Sequence, residues 1–98
     1  MQVLWLERAQ ADLDELFDYL IERDPRAALR IYEAIRDQVA RLADHPGLGR
    51  PGRVLGTREL VIARTPYIAA YTVDQDLGAV VVLRVLHGAR LWPEELSC

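Results

Sequence analysis

The chain has 98 residues, 51% hydrophobic and 28% charged, which predicts a single domain over residues 1–98 with a modest core. All twelve basic residues are arginine, and the net charge of −3 argues against a broad surface for binding long nucleic acids. No apolar run is long enough to span a membrane, and no secretory signal is recognised at the start of the sequence. The single cysteine, Cys98, cannot form an internal disulfide. A cytoplasmic protein is therefore expected.

The N-terminal half predicts a strand followed by two helices. The apolar segment QVLWL, residues 2–6, has strand spacing. From Glu7 onward apolar residues recur every three or four positions, which indicates an amphipathic helix. Asp24 is a suitable N-cap and Pro25 a suitable first residue for a second helix, which ends near the segment DHPG, residues 44–47. The short break between the helices predicts an antiparallel hairpin.

The C-terminal half predicts strands. A loop rich in glycine and proline covers residues 45–58, and strands are expected over 59–64, 67–73 and 79–87, with a hairpin turn at 74–78. The predicted fold is therefore α+β with the order β-α-α-β-β-β. The helical hairpin packs on one face of a small, mainly antiparallel sheet, and the other face is left for solvent or a partner.

Positive charge is concentrated in residues 45–64, whose net charge is +3. The segment contains one acid, Glu59, and four arginines, Arg50, Arg53, Arg58 and Arg64. Guanidinium groups beside glycines can bind anions on a partner. The alternative is a solvated loop whose arginines pair with the acidic helices.

The segment RVLHGARLWP, residues 84–93, offers one histidine near several cations. Cleavage of RNA through its own 2′-hydroxyl needs a base, an acid and a cation, which His87, Arg84 and Arg90 could supply. The alternative is a histidine that ends a strand and a tryptophan, Trp92, that packs the tail. On a regular strand Arg84 and His87 point to opposite faces.

Tyr67 and Tyr71 lie four residues apart on one predicted strand and so share a face. They are interpreted as core or rim residues, with stacking on bases or a peptide as the alternative. The helix carboxylates, such as Asp12 with Glu15, are interpreted as solvated surface. No metal cluster, catalytic triad or cofactor motif is apparent in the sequence.

The segments HPGLGRPGR, PYIAAYTV and LRVLHGARLWP, in this order behind two such helices, resemble the RelE/ParE superfamily of bacterial toxins. The resemblance covers nearly the whole chain. It implies the fold of two helices on a small antiparallel sheet, and a type II toxin–antitoxin module. The partner implied is a cognate antitoxin, similar to ParD or RelB, whose mobile tail wraps the toxin in a hetero-oligomer.

The superfamily contains two kinds of toxin. RelE-like members cleave mRNA on the ribosome, whereas ParE-like members inhibit DNA gyrase and are not themselves enzymes. RelE-like cleavage uses an arginine directly after the strand tyrosine, where this chain has Ile68, and catalytic lysines, which this chain lacks. The resemblance therefore favours a gyrase inhibitor, with a ribosome-dependent mRNA endonuclease and a non-toxic binder of antitoxin as alternatives.

The resemblance also assigns candidate roles. If the chain is a ribonuclease, His87 is the general base or acid, and Arg64, Arg84 and Arg90 stabilise charge. The antitoxin is expected to cover the groove of the helical hairpin and to reach the sheet. The candidate partner-binding residues are Arg50, Arg53, Arg58, Tyr67, Tyr71 and Trp92.

Overall fold

The computed structural model describes residues 1–90 and Trp92, so Cys98 lies outside the described residues. The helices are α1 (Glu7–Ile21) and α2 (Pro25–Ala40), and a 3₁₀ turn (Arg41–Ala43) follows α2. The strands are β1 (Gln2–Trp5), β2 (Arg50–Pro51), β3 (Arg58–Val61), β4 (Tyr67–Asp74) and β5 (Ala79–His87). The predicted α+β order is confirmed, and the predicted loop contains one additional two-residue strand, β2.

The helices begin where their local chemistry permits. The Asp24 side chain accepts a hydrogen bond of 3.2 Å from the Ala27 backbone N–H, and Pro25 occupies the first turn of α2. Each helix buries one apolar stripe, represented by Leu13 in α1 and Ile35 in α2, both fully buried. Neither helix is long and apolar enough to cross a membrane.

The five strands form one sheet in the order β1-β5-β4-β3-β2. Strands β2 to β5 pair antiparallel, whereas β1 runs parallel to β5, with Gln2 opposite Ala79 and Trp5 opposite Val82. A parallel pair needs a long crossover connection, and the helical hairpin provides part of it. The sheet is thus mixed but mainly antiparallel, as the sequence predicts.

A β-bulge interrupts the pairing of the two central strands. Tyr71 lies opposite Val82, but its neighbour Ala70 lies opposite Arg84, so β5 holds one extra residue between these pairs. Val82 and Val85 consequently both belong to the core that faces the helices. The prediction of strict alternation along β5 is therefore wrong at Leu83, and regular pairing resumes from Arg84 to His87.

The opposite face of the sheet is also largely buried at its centre. Ile68, Ala70 and Leu83 are at most 6% exposed, and Glu59, which lies opposite Ala70, is 3% exposed. The expectation of a face left open to solvent or a partner is thus wrong for the middle of the sheet. On this face the Glu59 carboxylate accepts hydrogen bonds from the side chains of Arg50, in β2, and Arg53, which follows it.

Tyr71 joins the core to the glycine-rich loop. Its ring is fully buried, its hydroxyl donates to the Pro46 carbonyl at 2.7 Å, and it accepts from the Gly49 N–H at 2.8 Å. A Cβ at Gly49 would lie 2.7 Å from the Tyr71 ring, so glycine permits this close approach. The side chain of Tyr71, a candidate for partner contact in the sequence, is therefore not accessible at the surface.

Replacing Tyr71 with Phe is expected to lower the free energy of unfolding by about 2 kcal/mol, because the buried Gly49 N–H and Pro46 carbonyl both lose their partner. Chemical denaturation measures the change. Tyr32→Phe is the control, since Tyr32 is only partly buried. Equal stabilities of Tyr71→Phe and the wild-type protein would contradict this anchoring role.

Candidate functional site

A groove of about 760 Å³ opens between α1 and the ends of β4 and β5. Charged and aromatic side chains dominate its lining. From α1 come Asp12, Glu15, Leu16, Tyr19 and Leu20, and from the strands and their ends come Pro66, Tyr67, Arg84, Val85, Leu86, His87 and Arg90. Arg84 and His87 both line this groove, although the regular pairing from Ala70–Arg84 to Tyr67–His87 is consistent with the expectation that they point to opposite faces of the sheet.

Asp12 closes the groove at the edge of β5. Its carboxylate accepts from Arg84 Nε at 2.7 Å and Nη2 at 3.0 Å, and from the Val85 backbone N–H at 2.9 Å. β1 ends opposite Val82, so the edge of β5 beyond this residue has no neighbouring strand. There the Asp12 carboxylate accepts a hydrogen bond from the backbone N–H that a neighbouring strand would otherwise bind. Asp12 is therefore not the solvated surface residue that the sequence predicts.

The same contact restricts Arg84. The two side chains are 16% and 11% exposed, and the hydrogen bonds from the guanidinium to Asp12 raise the pKa of Arg84 above its usual range, although burial opposes this rise. Most of the positive charge of Arg84 is thereby neutralised within the protein.

The His87 ring is held by its own turn. Its Nδ1 accepts a hydrogen bond of 3.1 Å from the Ala89 N–H, and its ring makes an edge-on contact with Tyr67 at 5.6 Å between centroids. An accepting Nδ1 places the single proton of neutral imidazole on Nε2. In this tautomer Nε2 of His87 is a hydrogen-bond donor and offers no lone pair.

Tyr67 and Arg90 complete this end of the groove. Burial raises the pKa of the Tyr67 hydroxyl, an effect that the positive charge of Arg90 opposes and the neighbouring Tyr19 reinforces. A raised pKa keeps the phenol protonated at neutral pH, so Tyr67 acts as a hydrogen-bonding group and not as a base. Arg90 is exposed, unlike Arg84, whose guanidinium is bound by Asp12.

Two of the candidate arginines converge on Glu59 on the other face of the sheet. The Glu59 carboxylate accepts from Arg50 Nη2 at 3.1 Å, from Arg53 Nε at 3.0 Å and from the Arg53 backbone N–H at 2.8 Å. The Arg53 guanidinium also stacks on the Trp92 ring at 3.7 Å, and the Trp92 indole N–H donates to the His87 carbonyl at 3.3 Å.

The remaining candidates are dispersed. Arg58 Nη1 donates to the Gly49 carbonyl at 2.8 Å, beside the anchored loop. Arg64 lies at the turn between β3 and β4 and is not part of the groove lining. The structure thus brings His87, Arg84, Arg90 and Tyr67 to one groove. The side chains of Arg50, Arg53, Arg58, Arg64 and Trp92 do not line it, although the Trp92 indole N–H donates to the His87 carbonyl.

The sequence did not reveal the two acids that bind these arginines, Asp12 and Glu59. Asp12 lies between the buried residues Ala9 and Leu16 at helical spacing, a flank position that favours partial burial. Glu59 is the single acid in a basic segment, which makes it the natural partner for nearby arginines. Across residues 1–90 and Trp92 there is no group of three acids, histidines or cysteines able to hold a metal ion.

Comparisons with known proteins agree with this geometry. The family model described as the ParE toxin of the type II toxin–antitoxin system parDE matches residues 3–92. The protein Y4kP of Sinorhizobium fredii is 42% identical over 97% of this chain and 96% of its own length. The toxin RelE2 of Caulobacter vibrioides is 38% identical over 92% of this chain and 98% of its own length.

Two solved structures share the fold. The chromosomal ParDE toxin–antitoxin system from P. aeruginosa has a chain with a TM-score of 0.77 and 33% identity, covering 87% of this chain and 92% of its own. The toxin–antitoxin complex RelBE2 from Mycobacterium tuberculosis gives a TM-score of 0.54 and 26% identity, covering 88% of this chain and 95% of its own. The chain therefore belongs to the ParE toxins of type II toxin–antitoxin systems, within the RelE/ParE superfamily.

Proposed function

We propose that this toxin inhibits DNA gyrase as a binding protein and is not a nuclease. The observation that carries the proposal is the hydrogen bond from the Ala89 N–H to His87 Nδ1. In the tautomer that this contact favours, Nε2 carries the proton, so His87 offers no lone pair there with which to act as a general base.

The surroundings of His87 support the same proposal. Arg84 is held by Asp12, and Ile68 stands in the strand position where RelE-like members carry a catalytic arginine. Ile68 is 6% exposed, so this position offers no charge for a phosphorane. The match to a ParE family model and the TM-score of 0.77 with the ParDE structure add to these arguments.

His87→Asn tests the proposal, because the asparagine Oδ1 can accept from the Ala89 N–H while the imidazole is lost. We expect growth arrest by the variant to equal that of the wild-type toxin. With purified toxin free of antitoxin, supercoiling of relaxed plasmid by gyrase is expected to fall with both proteins, and mRNA on programmed ribosomes is expected to stay intact. Undiminished supercoiling at excess toxin would contradict gyrase inhibition.

A ribosome-dependent mRNA endonuclease is the second candidate. It is favoured by the meeting of His87, Tyr67 and Arg90 in one groove, and the relative from Caulobacter vibrioides carries the name RelE2. This function would appear as mRNA cleavage that His87→Asn abolishes while gyrase remains active. The same pair of assays thus separates the two candidates.

A cognate antitoxin is part of the proposal, and we place the module in the cytoplasm. Both solved structures above are described as toxin–antitoxin systems. A second groove, of about 520 Å³, lies on the helical hairpin and is lined by Asp14, Phe17, Asp18, Leu29 and Tyr32. Leu29 is 52% exposed, which fits an apolar surface that a partner covers.

A further inference from the structure

We propose that Arg26, Arg30 and Arg64 form one cationic patch that binds an acidic segment of the cognate antitoxin. The proposal extends the function proposed above, since it presumes that an antitoxin binds this chain. All three side chains are exposed, and none lines the groove at His87. Three separate local features, each of which lowers the stability of the fold on its own, occur at this patch.

The first feature is the backbone at Arg64. Its φ is 67°, in the left-handed region that glycine adopts without strain and other residues seldom adopt. The turn is nevertheless held firmly: Gln38 accepts from the Ala63 N–H at 2.8 Å and donates to the Ala63 carbonyl at 3.2 Å, and the Thr65 N–H donates to the Ile62 carbonyl at 3.2 Å. The fold thus presents an arginine where glycine would be less strained.

The second and third features lie on α2. Arg26 and Arg30 are four residues apart, so two like charges stand side by side on the helix surface. Arg26 is also in the first turn of α2, beside the positive end of the helix dipole, and that turn contains no acidic residue. Arg30 Nη1 donates to the Arg64 carbonyl at 3.3 Å, which joins the helix pair to the strained turn.

The patch contrasts with the other arginine clusters of this protein. Arg50 and Arg53 share Glu59, and Arg84 is paired with Asp12. Within residues 1–90 and Trp92, neither Arg26, Arg30 nor Arg64 forms an ion pair. Local features that work against stability and converge on one exposed surface indicate a role in function.

Carboxylates of a protein partner are the anions that fit best. The net charge of −3 disfavours a long nucleic acid, whereas three guanidinium groups match a short acidic segment. Successive residues of a helix rise about 1.5 Å, so acids four apart on a partner helix repeat at the same spacing as Arg26 and Arg30. Leu29, between these arginines in sequence, belongs to the apolar groove assigned to the antitoxin, so one partner can cover both.

Charge reversal tests the patch. The antitoxin encoded beside the toxin gene is titrated against the wild-type toxin, the double variant Arg30→Glu with Arg64→Glu, and a matched control, Arg8→Glu with Arg41→Glu. The control changes the net charge equally at two other exposed arginines. In low salt we expect the patch variant to bind at least about tenfold more weakly, and the control to change by less than about threefold. The difference should shrink as salt is added.

The variant Arg64→Gly separates binding from folding. Glycine relieves the left-handed backbone, so the thermal midpoint is expected to stay equal or rise while the antitoxin binds more weakly. Equal affinity of the patch and control variants would overturn the proposal. Loss of growth inhibition by the patch variant with unchanged antitoxin affinity would overturn it as well, because the patch would then serve the toxin's target. A wild-type chain that the antitoxin does not bind would instead overturn the proposed antitoxin partnership itself.

Discussion

Asp12→Ala is expected to lower the free energy of unfolding by about 3 kcal/mol, the largest effect of any single substitution considered for this toxin. The variant leaves the Arg84 guanidinium largely buried without its counter-charge and the Val85 N–H without an acceptor. Exposed ion pairs contribute at most about 1 kcal/mol, so burial and the additional backbone contact account for the difference. The outcome therefore decides whether Asp12 is structural.

Chemical denaturation monitored by circular dichroism measures the change, with Asp18→Ala as the control. Asp18 is an exposed acid on the same helix, and its loss changes the net charge equally. Adding Arg84→Met to Asp12→Ala should restore part of the stability, because no buried charge then lacks a partner. A variant Asp12→Ala as stable as Asp18→Ala would show that the contact with Arg84 contributes little.

Glu59→Gln is expected to lower the free energy of unfolding by about 2 kcal/mol, the second large effect. Burial of the Glu59 carboxylate raises its pKa, but the hydrogen bonds from the Arg53 side chain and backbone and from Arg50 outweigh burial, and the pKa falls below the ordinary value of 4.5. Glutamine keeps the shape of the side chain but cannot accept from both arginines as a carboxylate does.

The lowered pKa also sets the pH dependence. The charged form is favoured in the folded state, so the contribution of Glu59 is complete above pH 4.5 and is lost as the pH falls through the lowered pKa. The stability difference between the wild-type protein and Glu59→Gln should therefore shrink in acid, as measured by denaturation at several pH values. A difference that is constant from neutral to acid pH would contradict the assigned pKa shift. Glu33→Gln, on exposed helix surface, is the control.

The sequence predicted the helices and strands well because their signals are local. The apolar stripes of α1 and α2, the Asp24 cap and the turn before Ala79 act over a few residues each. The sequence did not predict the parallel position of β1, since pairing between residues 77 positions apart leaves no local pattern. Nor did it predict the bulge, because the residues around Arg84, namely Val82, Leu83 and Val85, are compatible with a regular strand and with a bulged one.

The candidate site was predicted only in part, for the same reason. The proximity of His87, Tyr67 and Arg90 follows from the pairing of two neighbouring strands, and this could be anticipated. The pairing of Arg84 with Asp12, across 72 residues, depends on how α1 packs against β5. Residue types alone therefore suggested a free cation where the folded chain has a neutralised pair.

The parallel pairing of β1 with β5 has a consequence for the time at which this toxin becomes folded. β1 is made before its partner, Ala79–His87, and both helices and three other strands lie between them in the sequence. Closing so long a loop is entropically costly, and contacts of this kind form late and slow folding. The helical hairpin can form before β5 is synthesised, whereas β1 must wait for its partner. A nascent chain that has not reached Ala79–His87 therefore lacks the groove at His87.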